Sequence, residues 1–577
     1  MLALGLCCFT LLSLRMPIAS EIRYFESARE MVESGDWTVP TLGYVPYFEK
    51  PILLYWVSAA SQALFGSSTI AARLPSILSA TLSLLVTWAV ARRLLGEKGG
   101  MQAALVVLVS GYFFVLGSVL TTDALFAALL WSAWYAWWRA RTSRGSGWTW
   151  TYCAATALAF MTKGPLALIL VGGSIATYEI FRQPTSARWY VRVVRGARAA
   201  LVSGRPLRLV LVTLALNLPW SLAVLRRDGR FLEFFYVREN FQAFFDGSVH
   251  HKQNPFFYAG ILLMAFAPWS IPCALTIAVV LRERVLEAWR GVPARTVTGE
   301  RDDLRGYLGA IVIFTLAFLE ASSAKLASYP LPILPALGIL IVDAWRARVA
   351  APPPWLRWSQ LLGAAASIAG VLVYLSSRKE RASEIPQELI QHLSIGMLVT
   401  GLALLGAGVL AVRGRFWSGI ALSGAALAGL VVVTTARLEE LGIARNLQPL
   451  ASAIAAREQQ GDRVVTTTQY AQDYTLQLTL HQRIGLLGGA RELGMGHFAE
   501  VTAPSVPIPR EPYLVSGENL PGNPWLYTRA RLAQELRSPR RMWFVGTRKD
   551  LDDLRADGVK LRVVESSREA ILCTNVD

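Results

Sequence analysis

The chain has 577 residues, 53% of them hydrophobic, with 19 Trp and a mean hydropathy of +0.39. A soluble globular chain carries less apolar residue than this, and here it falls in repeated blocks of membrane-spanning length, so a soluble fold is excluded and a polytopic α-helical membrane protein is expected. The net charge of +17 does not mark a nucleic-acid partner, because the Arg residues sit in short clusters between apolar blocks, the distribution that sets topology in a bilayer.

In chain order the hydropathy predicts about thirteen transmembrane spans, near residues 1–17, 69–91, 101–118, 123–138, 149–162, 164–181, 208–225, 256–281, 305–321, 329–345, 356–376, 391–412 and 416–434. The first is short, is interrupted by Arg15 and lacks the basic start of a secretory signal; it reads as a span whose start lies upstream. The segments after Val90, Trp138, Phe181, Val280, Ala344 and Val412 carry 3, 3, 7, 6, 3 and 2 Lys or Arg. The opposite loops around Asp123, Lys163 and Lys325 carry 0, 1 and 1. The basic loops are therefore expected in the cytoplasm, which puts 19–68, 226–255 and everything after about Thr435 outside, in a bacterium the periplasm. Cys7, Cys8, Cys153 and Cys273 lie in apolar blocks and Cys573 stands alone near the end, so no disulfide framework is implied.

Two organisational units follow: a membrane domain over 1–434, with loop helices at 19–68 and 226–255, and a C-terminal soluble α/β domain over 435–577. The tail earns that reading from short β-rich runs (RVVTTT, RIGLLGG, RMWFVGT, KLRVVES, AILCTNV) and one helical stretch, LQPLASAIAAREQQ. It shows no catalytic constellation.

The first outer loop is the most informative segment. Ser20 is placed to cap a helix EIRYFESAREMVES with Ile22, Phe25, Met31 and Val32 on one apolar face, and Gly35 stops it. Such a helix would lie along the membrane surface, with Arg23 one turn from its N-terminus and suited to a phosphate; the plain alternative is an interfacial helix with a snorkelling Arg. Next, Tyr47-Phe48-Glu49-Lys50-Pro51 sets an acid beside a base directly before an apolar run. Its plain alternative is an interfacial ion pair by an aromatic belt. Glu21, Arg23, Glu49, Lys50, Asp123, Lys163, Arg238, His250, His251 and Lys325 all fall at outer span ends or outer loops, so a site facing outward is expected. Glu320 and Asp343 fall within predicted spans, each near an end. Asp123 has no nearby cation in sequence, which calls for a partner from another segment or a substrate amine or hydroxyl; its plain alternative is the N-cap of the fourth span.

The blocks SEIRYFESAREMVESGDW, YFEKPILLYW, MTKGPLAL, NLPWSLAV and SSAKLASYPLPILPAL together resemble the successive signatures of the bacterial 4-amino-4-deoxy-L-arabinose lipid A transferases. These belong to the broader protein-mannosyltransferase-like group with the GT-C fold. The resemblance runs from about residue 17 to 345. It implies a glycosyltransferase in the bacterial inner membrane that takes the aminosugar from an undecaprenyl phosphate carrier and moves it to a phosphate of lipid A on the periplasmic face. It also implies a role in lipopolysaccharide modification and in resistance to cationic peptides such as polymyxin. On the matching positions it points to Glu21, Glu49, Lys50 and Asp123 as catalytic, and to Arg23, Tyr24, Lys163, Arg238, Lys325 and Tyr329 as binding substrate. The partners expected are the donor lipid, lipid A and the bilayer, with the chain acting as a monomer.

The residues fit that chemistry on their own. A lipid-phosphate donor needs no nucleotide fold, and the membrane half holds neither a Walker motif nor a dinucleotide fingerprint. Lys50, Arg23, Lys163 and Lys325 would stabilise the departing phosphate, while Glu49, Glu21 and Asp123 would hold the acceptor or a divalent ion. One departure is plain: where the family shows Asp-Glu, this chain has Ser20-Glu21, leaving Glu21 as the nearest acid. A phosphate monoester with its second pKa near about 6 is already largely ionised, so no strong base is required. His250 and His251 on an extended loop are expected to approach zinc or a similar ion, with Glu49 as an oxygen ligand; the plain alternative is a pair of solvated loop imidazoles. Two other classes stay open, a protein O-mannosyltransferase or other polyprenyl-phosphate-hexose transferase, and a lipid-linked sugar flippase. A flippase would need polar residues along a path through the spans.

Overall fold

The computed structural model describes residues 19–42, 45–143, 146–184, 187–227, 256–266, 270–289, 299–323, 325–347, 387–440, 447–459, 461–467, 484–487, 526–566 and 570–576, with short pieces and single positions between them. It divides into two compact units. One comprises Met1–Arg15, Pro75–Ala223 and Tyr236–Arg437, the other Met16–Leu74, Val224–Phe235 and Leu438–Asp577.

In chain order the N-terminal helices are α1 (Ala19–Ser34), α2 (Leu53–Phe65), α3 (Thr69–Leu108), α4 (Gly111–Leu116), α5 (Thr122–Thr142), α6 (Gly147–Lys163), α7 (Leu166–Phe181), α8 (Trp189–Gly204) and α9 (Pro206–Arg227). They are followed by α10 (Phe257–Ala265), α11 (Ser270–Trp289), α12 (Glu300–Ala321), α13 (Leu334–Ala347), α14 (Gln387–Val412) and α15 (Phe416–Glu440). Among the described residues, α3, α9 and α12 are long and apolar enough to cross a membrane by length and composition, so the chain is a multi-pass membrane protein.

Several expected spans take a different form. The stretch over 69–91 and part of 101–118 forms the one helix run α3, broken at Gly96 with φ 73, a left-handed conformation open to glycine without a Cβ clash; α4 takes up most of the rest. The span expected at 256–281 is two helices, α10 and α11. The spans expected at 1–17 and 356–376 fall mostly outside the described residues. Two helices, α2 and α8, lie where no span was expected.

The core of the first unit is aromatic. Trp131, Trp134 and Trp138 recur at helical spacing along α5 and are almost fully buried. Trp137 packs 4.9 Å from the Tyr307 ring of α12 and 5.8 Å from the Tyr178 ring of α7. Close approach of α7 and α12 depends on Gly173, where an added Cβ would sit 1.9 Å from Phe314, the use small residues have at membrane helix contacts.

In the second unit, β1 (Thr41–Leu42) and β2 (Val45–Pro46) pair antiparallel after α1. A six-stranded sheet follows in the order β5-β4-β3-β6-β8-β7, built from β3 (Arg463–Thr467), β4 (Ile484–Leu487), β5 (Leu526–Tyr527), β6 (Met542–Gly546), β7 (Arg562–Ser566) and β8 (Ile571–Thr574). Strands β5, β4, β3 and β6 run parallel, and β8 and β7 are added antiparallel. Alternation puts Val464, Trp543 and Val545 on the face covered by α16 (Gln448–Ala455). Val465, Phe544 and Cys573 face α17 (Arg529–Leu536) and α18 (Arg548–Ala556).

Candidate active site

The expected site residues fall into two clusters, one in each unit. The first is built on α1 and the segment leading into α2. Helix α1 opens at Ala19, one residue before the expected cap, so Ser20 falls inside its first turn. It stops where expected, at Gly35 with φ 70, whose N–H donates to Met31 O at 3.0 Å. Ile22, Phe25 and Met31 are buried and Val32 partly so. The acids do not form a solvated face, however: Glu21, Glu26 and Glu30 are all buried too.

Each acid is accounted for by a contact. Arg73 of α3 donates Nε to Glu21 Oε1 and Nη2 to Glu21 Oε2, both at 2.8 Å, and each side chain is 1% exposed. Glu26 takes a fork from Arg29 at 2.7 and 2.9 Å, and Glu30 accepts from the Thr41 hydroxyl. Glu21 is thus sealed in a bidentate pair, a position that fixes α1 against the first turn of α3, residues 69–74, and leaves its oxygens buried. Arg73 is the residue that the sequence reading missed. A signal was present: it is a lone charge inside the apolar stretch 69–91, and such charges are retained in spans for a reason.

Glu49 lies at the other edge of this cluster. The Tyr47 hydroxyl donates to Glu49 Oε2 at 2.6 Å, and Arg23 Nη1 stands 3.6 Å from the same oxygen. Lys50 Nζ donates to the Glu49 backbone oxygen at 2.8 Å. Burial, and then the Glu49 charge, push the Tyr47 phenol well above its ordinary range, so it remains a donor. Burial works against the Arg23 charge, but Tyr47 and Glu49 outweigh it and its pKa is raised. The Tyr24 ring packs 5.8 Å from Tyr55, and Tyr55 stands edge-on to Tyr47 at 6.5 Å. The result is a half-buried cation and carboxylate on an aromatic bed, with Arg23 39% exposed and able to donate to a further anionic oxygen.

The second cluster gathers the ends of α5, α6, α12 and the turn before α13. Asp123 is not the helix cap. Thr121 is, accepting from the Asp123 N–H at 3.4 Å, which leaves the Asp123 carboxylate for an ion pair with Lys163, 40 residues away. Lys163 Nζ lies 5.3 Å from the Phe126 ring centre and 5.0 Å from Tyr329. Asp123, Phe126, Lys163, Leu166, Leu170, Leu319, Tyr329 and Pro332 line one cleft. Nearby in the chain, Lys325 bonds Glu320 at 2.5 Å, and Glu320 also accepts the Tyr258 N–H at 2.9 Å. An ammonium between two aromatic faces has little water around it, so a phosphate oxygen reaching it interacts far more strongly than in bulk solvent.

Arg238, His250 and His251 lie outside the described residues. Among the described residues no group of three or more His, Cys, Asp or Glu is placed to hold a metal ion, and the Glu49 carboxylate is engaged by Tyr47 and Arg23. At the other end of α5, about 27 Å from Asp123 at 1.5 Å per residue, Arg141 bonds Asp303 at 2.9 Å and stands 3.4 Å from Glu179. This buried network was not read from the sequence.

Residues 49–203 match the family described as dolichyl-phosphate-mannose-protein mannosyltransferase. A relative from Pseudomonas paraeruginosa, an undecaprenyl phosphate-alpha-4-amino-4-deoxy-L-arabinose arabinosyl transferase, is 30% identical over 498 residues, covering 81% of this chain and 84% of the relative. The chain belongs to that arabinosyl transferase family. Another member, from Edwardsiella ictaluri, is 32% identical over 328 residues, covering 56% of this chain and 54% of its own. The chain spans about half the length of several relatives it matches, 54% and 53% in two cases. Among solved structures, ArnT from Cupriavidus metallidurans bound to undecaprenyl phosphate superposes with a TM-score of 0.76 at 22% identity, covering 100% of this chain and 97% of that one. The arabinosyl transferase family and this neighbour share the GT-C fold with the chain.

Proposed function

We propose that this member of the arabinosyl transferase family transfers 4-amino-4-deoxy-L-arabinose from an undecaprenyl phosphate carrier to a phosphate of lipid A. The observation that carries the reading is Lys163, an ammonium 9% exposed, held by Asp123 between two aromatic rings and open to a cleft. In the transfer, an acceptor phosphate oxygen bonds to the sugar's anomeric carbon as the bond from that carbon to the carrier phosphate breaks. The electron pair leaves with the carrier, and Lys163 meets the charge that develops there. The acceptor is already ionised, so no carboxylate has to remove a proton. This removes the need for an acid at Ser20 and agrees with Glu21 being committed to Arg73. Glu49, Arg23, Lys50, Tyr24, Lys325, Tyr329 and Arg238 are proposed to bind or orient the two lipids.

The finer architecture belongs to the same proposal: about thirteen spans in the bacterial inner membrane, the Asp123 and Glu49 ends facing the periplasm, 435–577 as a periplasmic α/β domain, and a monomeric chain. An ion at Glu49, His250 and His251 is proposed as a structural accessory and carries no step. The test is transfer by the purified full chain from undecaprenyl phosphate-linked aminoarabinose to lipid A, read by the mass of the product. Lys163→Met is expected to lower kcat at least hundredfold, the scale of one lost charge-stabilising group, with the protein still folded. Transfer of a hexose to protein in place of lipid A would overturn the reading in favour of a mannosyltransferase.

A further inference from the structure

Helix α8 lies across the ends of three other helices. Ile180, one residue before the end of α7, meets Gly196 so closely that an added Cβ would sit 2.5 Å from the Ile180 Cα. Trp137, near the end of α5, donates its indole N–H to Ser203 O at 3.1 Å, and Tyr152, near the start of α6, donates its hydroxyl to Gly204 O at 3.1 Å. Each of these three residues lies within about 8 Å of its helix end at 1.5 Å per residue. The middle and the C-terminal end of α8 therefore sit at one level, and the helix runs across the bundle end.

The side turned away is apolar and then basic. At 100° per residue, Val193, Ala197, Tyr190, Leu201 and Val194 follow one another round about 100° of arc, exposed Arg198, Val202 and Arg195 continue on the next sector, and Arg192 lies beyond them, partly buried beside the packed face at Gly196. Val194 is 67% and Leu201 63% exposed. From Arg182 to Arg208 the sequence holds seven Arg and no Asp or Glu. The chain tethers both ends of this helix to spans, α7 before it and α9 after it. An apolar stripe that no other described residue covers, held at the level of the span ends and with Arg as the charged side chains beside it, is complementary to a membrane surface carrying negative headgroups.

We infer that α8 is an interfacial helix whose apolar stripe enters the headgroup–acyl boundary and whose Arg192, Arg195 and Arg198 bind anionic phospholipid headgroups. Binding of this kind would seat the bundle end that carries Arg141, Glu179 and Asp303 on its own leaflet. It uses none of the residues assigned to transfer.

The experiment is hydrogen exchange on the full chain in nanodiscs of phosphatidylcholine alone and of phosphatidylcholine with phosphatidylglycerol in equal parts. Amides of 189–204 are expected to exchange more slowly in the anionic discs, while those of α5 are unchanged. Each Arg→Gln substitution should lower the docked-to-undocked ratio about fivefold, from the surface attraction of one basic side chain. The R192Q/R195Q/R198Q variant should therefore lose the protection in anionic discs, and so should the wild type at high salt. A separate probe, an NBD label on Leu201→Cys, should emit as in an apolar medium. Equal exchange in the two lipid compositions, protection that survives in the triple variant, a water-like NBD emission, or protection that appears only on adding soluble protein would each overturn the inference.

Discussion

At the level of single residues, the clearest lesson is that a buried acid next to a motif is not by that fact a catalyst. Glu21 and Arg73 are each 1% exposed and share two hydrogen bonds of 2.8 Å. Their attraction and their desolvation largely offset, so the intact pair adds little net stability. Removing one partner strands a charge, at a cost of about 3–5 kcal/mol. Arg73→Met alone or Glu21→Leu alone should therefore lower the unfolding temperature sharply, and the double variant should recover most of it. Thermal unfolding of the four proteins in one detergent checks this, and a double variant no more stable than either single would contradict the pairing. Lys163 follows the opposite logic. Its carboxylate partner and aromatic neighbours keep it ordered, and it lines the cleft that Phe126, Leu166, Leu170 and Tyr329 share with it.

At the level of elements, Gly96 and the C-terminal sheet show how local chemistry sets larger pieces. A positive φ at Gly96 lets one apolar run serve as two helices. In the sheet, Cys573 sits on β8, fully buried opposite Phe544. Burial raises its thiol pKa to about 11, against a smaller lowering by Arg555. The unfolded thiol ionises near its ordinary value of 9.0, so between there and about 11 the unfolded state has lost a proton that the folded state keeps. The sign is then fixed: this group subtracts stability as pH rises through that window and contributes no pH dependence below it. Below pH 9 the thiolate fraction of the folded protein should be about a hundredfold lower than in the unfolded one. Iodoacetamide modification of Cys573, followed by mass spectrometry with and without denaturant, should show at least that difference. Comparable rates in the two states would mean that the strand opens readily.

For the whole molecule, the ion proposed at Glu49, His250 and His251 is a prediction about composition. The described contacts of Glu49 already engage its carboxylate. Elemental analysis of the purified full chain is expected to show one zinc or similar ion per protein, lost in a His250→Ala, His251→Ala variant that keeps transfer activity, and a wild type without bound metal would end the proposal. A variant that loses metal and transfer together would promote the ion to a part of the chemistry. Much of the molecule was legible beforehand. Apolar blocks of span length, the YFEKP stretch and the β-rich tail each depend on residues close together in sequence, where spacing alone reports burial and local conformation. The boundaries of α5, α6, α7, α12 and α13 follow those blocks closely. What spacing cannot report is which distant segment faces a given side chain. Glu21 meets Arg73 across 52 residues, and Asp123 meets Lys163 across 40. The amphipathic α8 escaped notice because only its cross-bundle contacts separate it from a basic loop. The sequence by itself determined a membrane protein, its apolar blocks and the residue types of a phosphate-handling site. The tertiary structure decided which acids are sealed in ion pairs and which cation is left beside a cleft, because a charge removed from water takes its role from the partner that the fold brings to it.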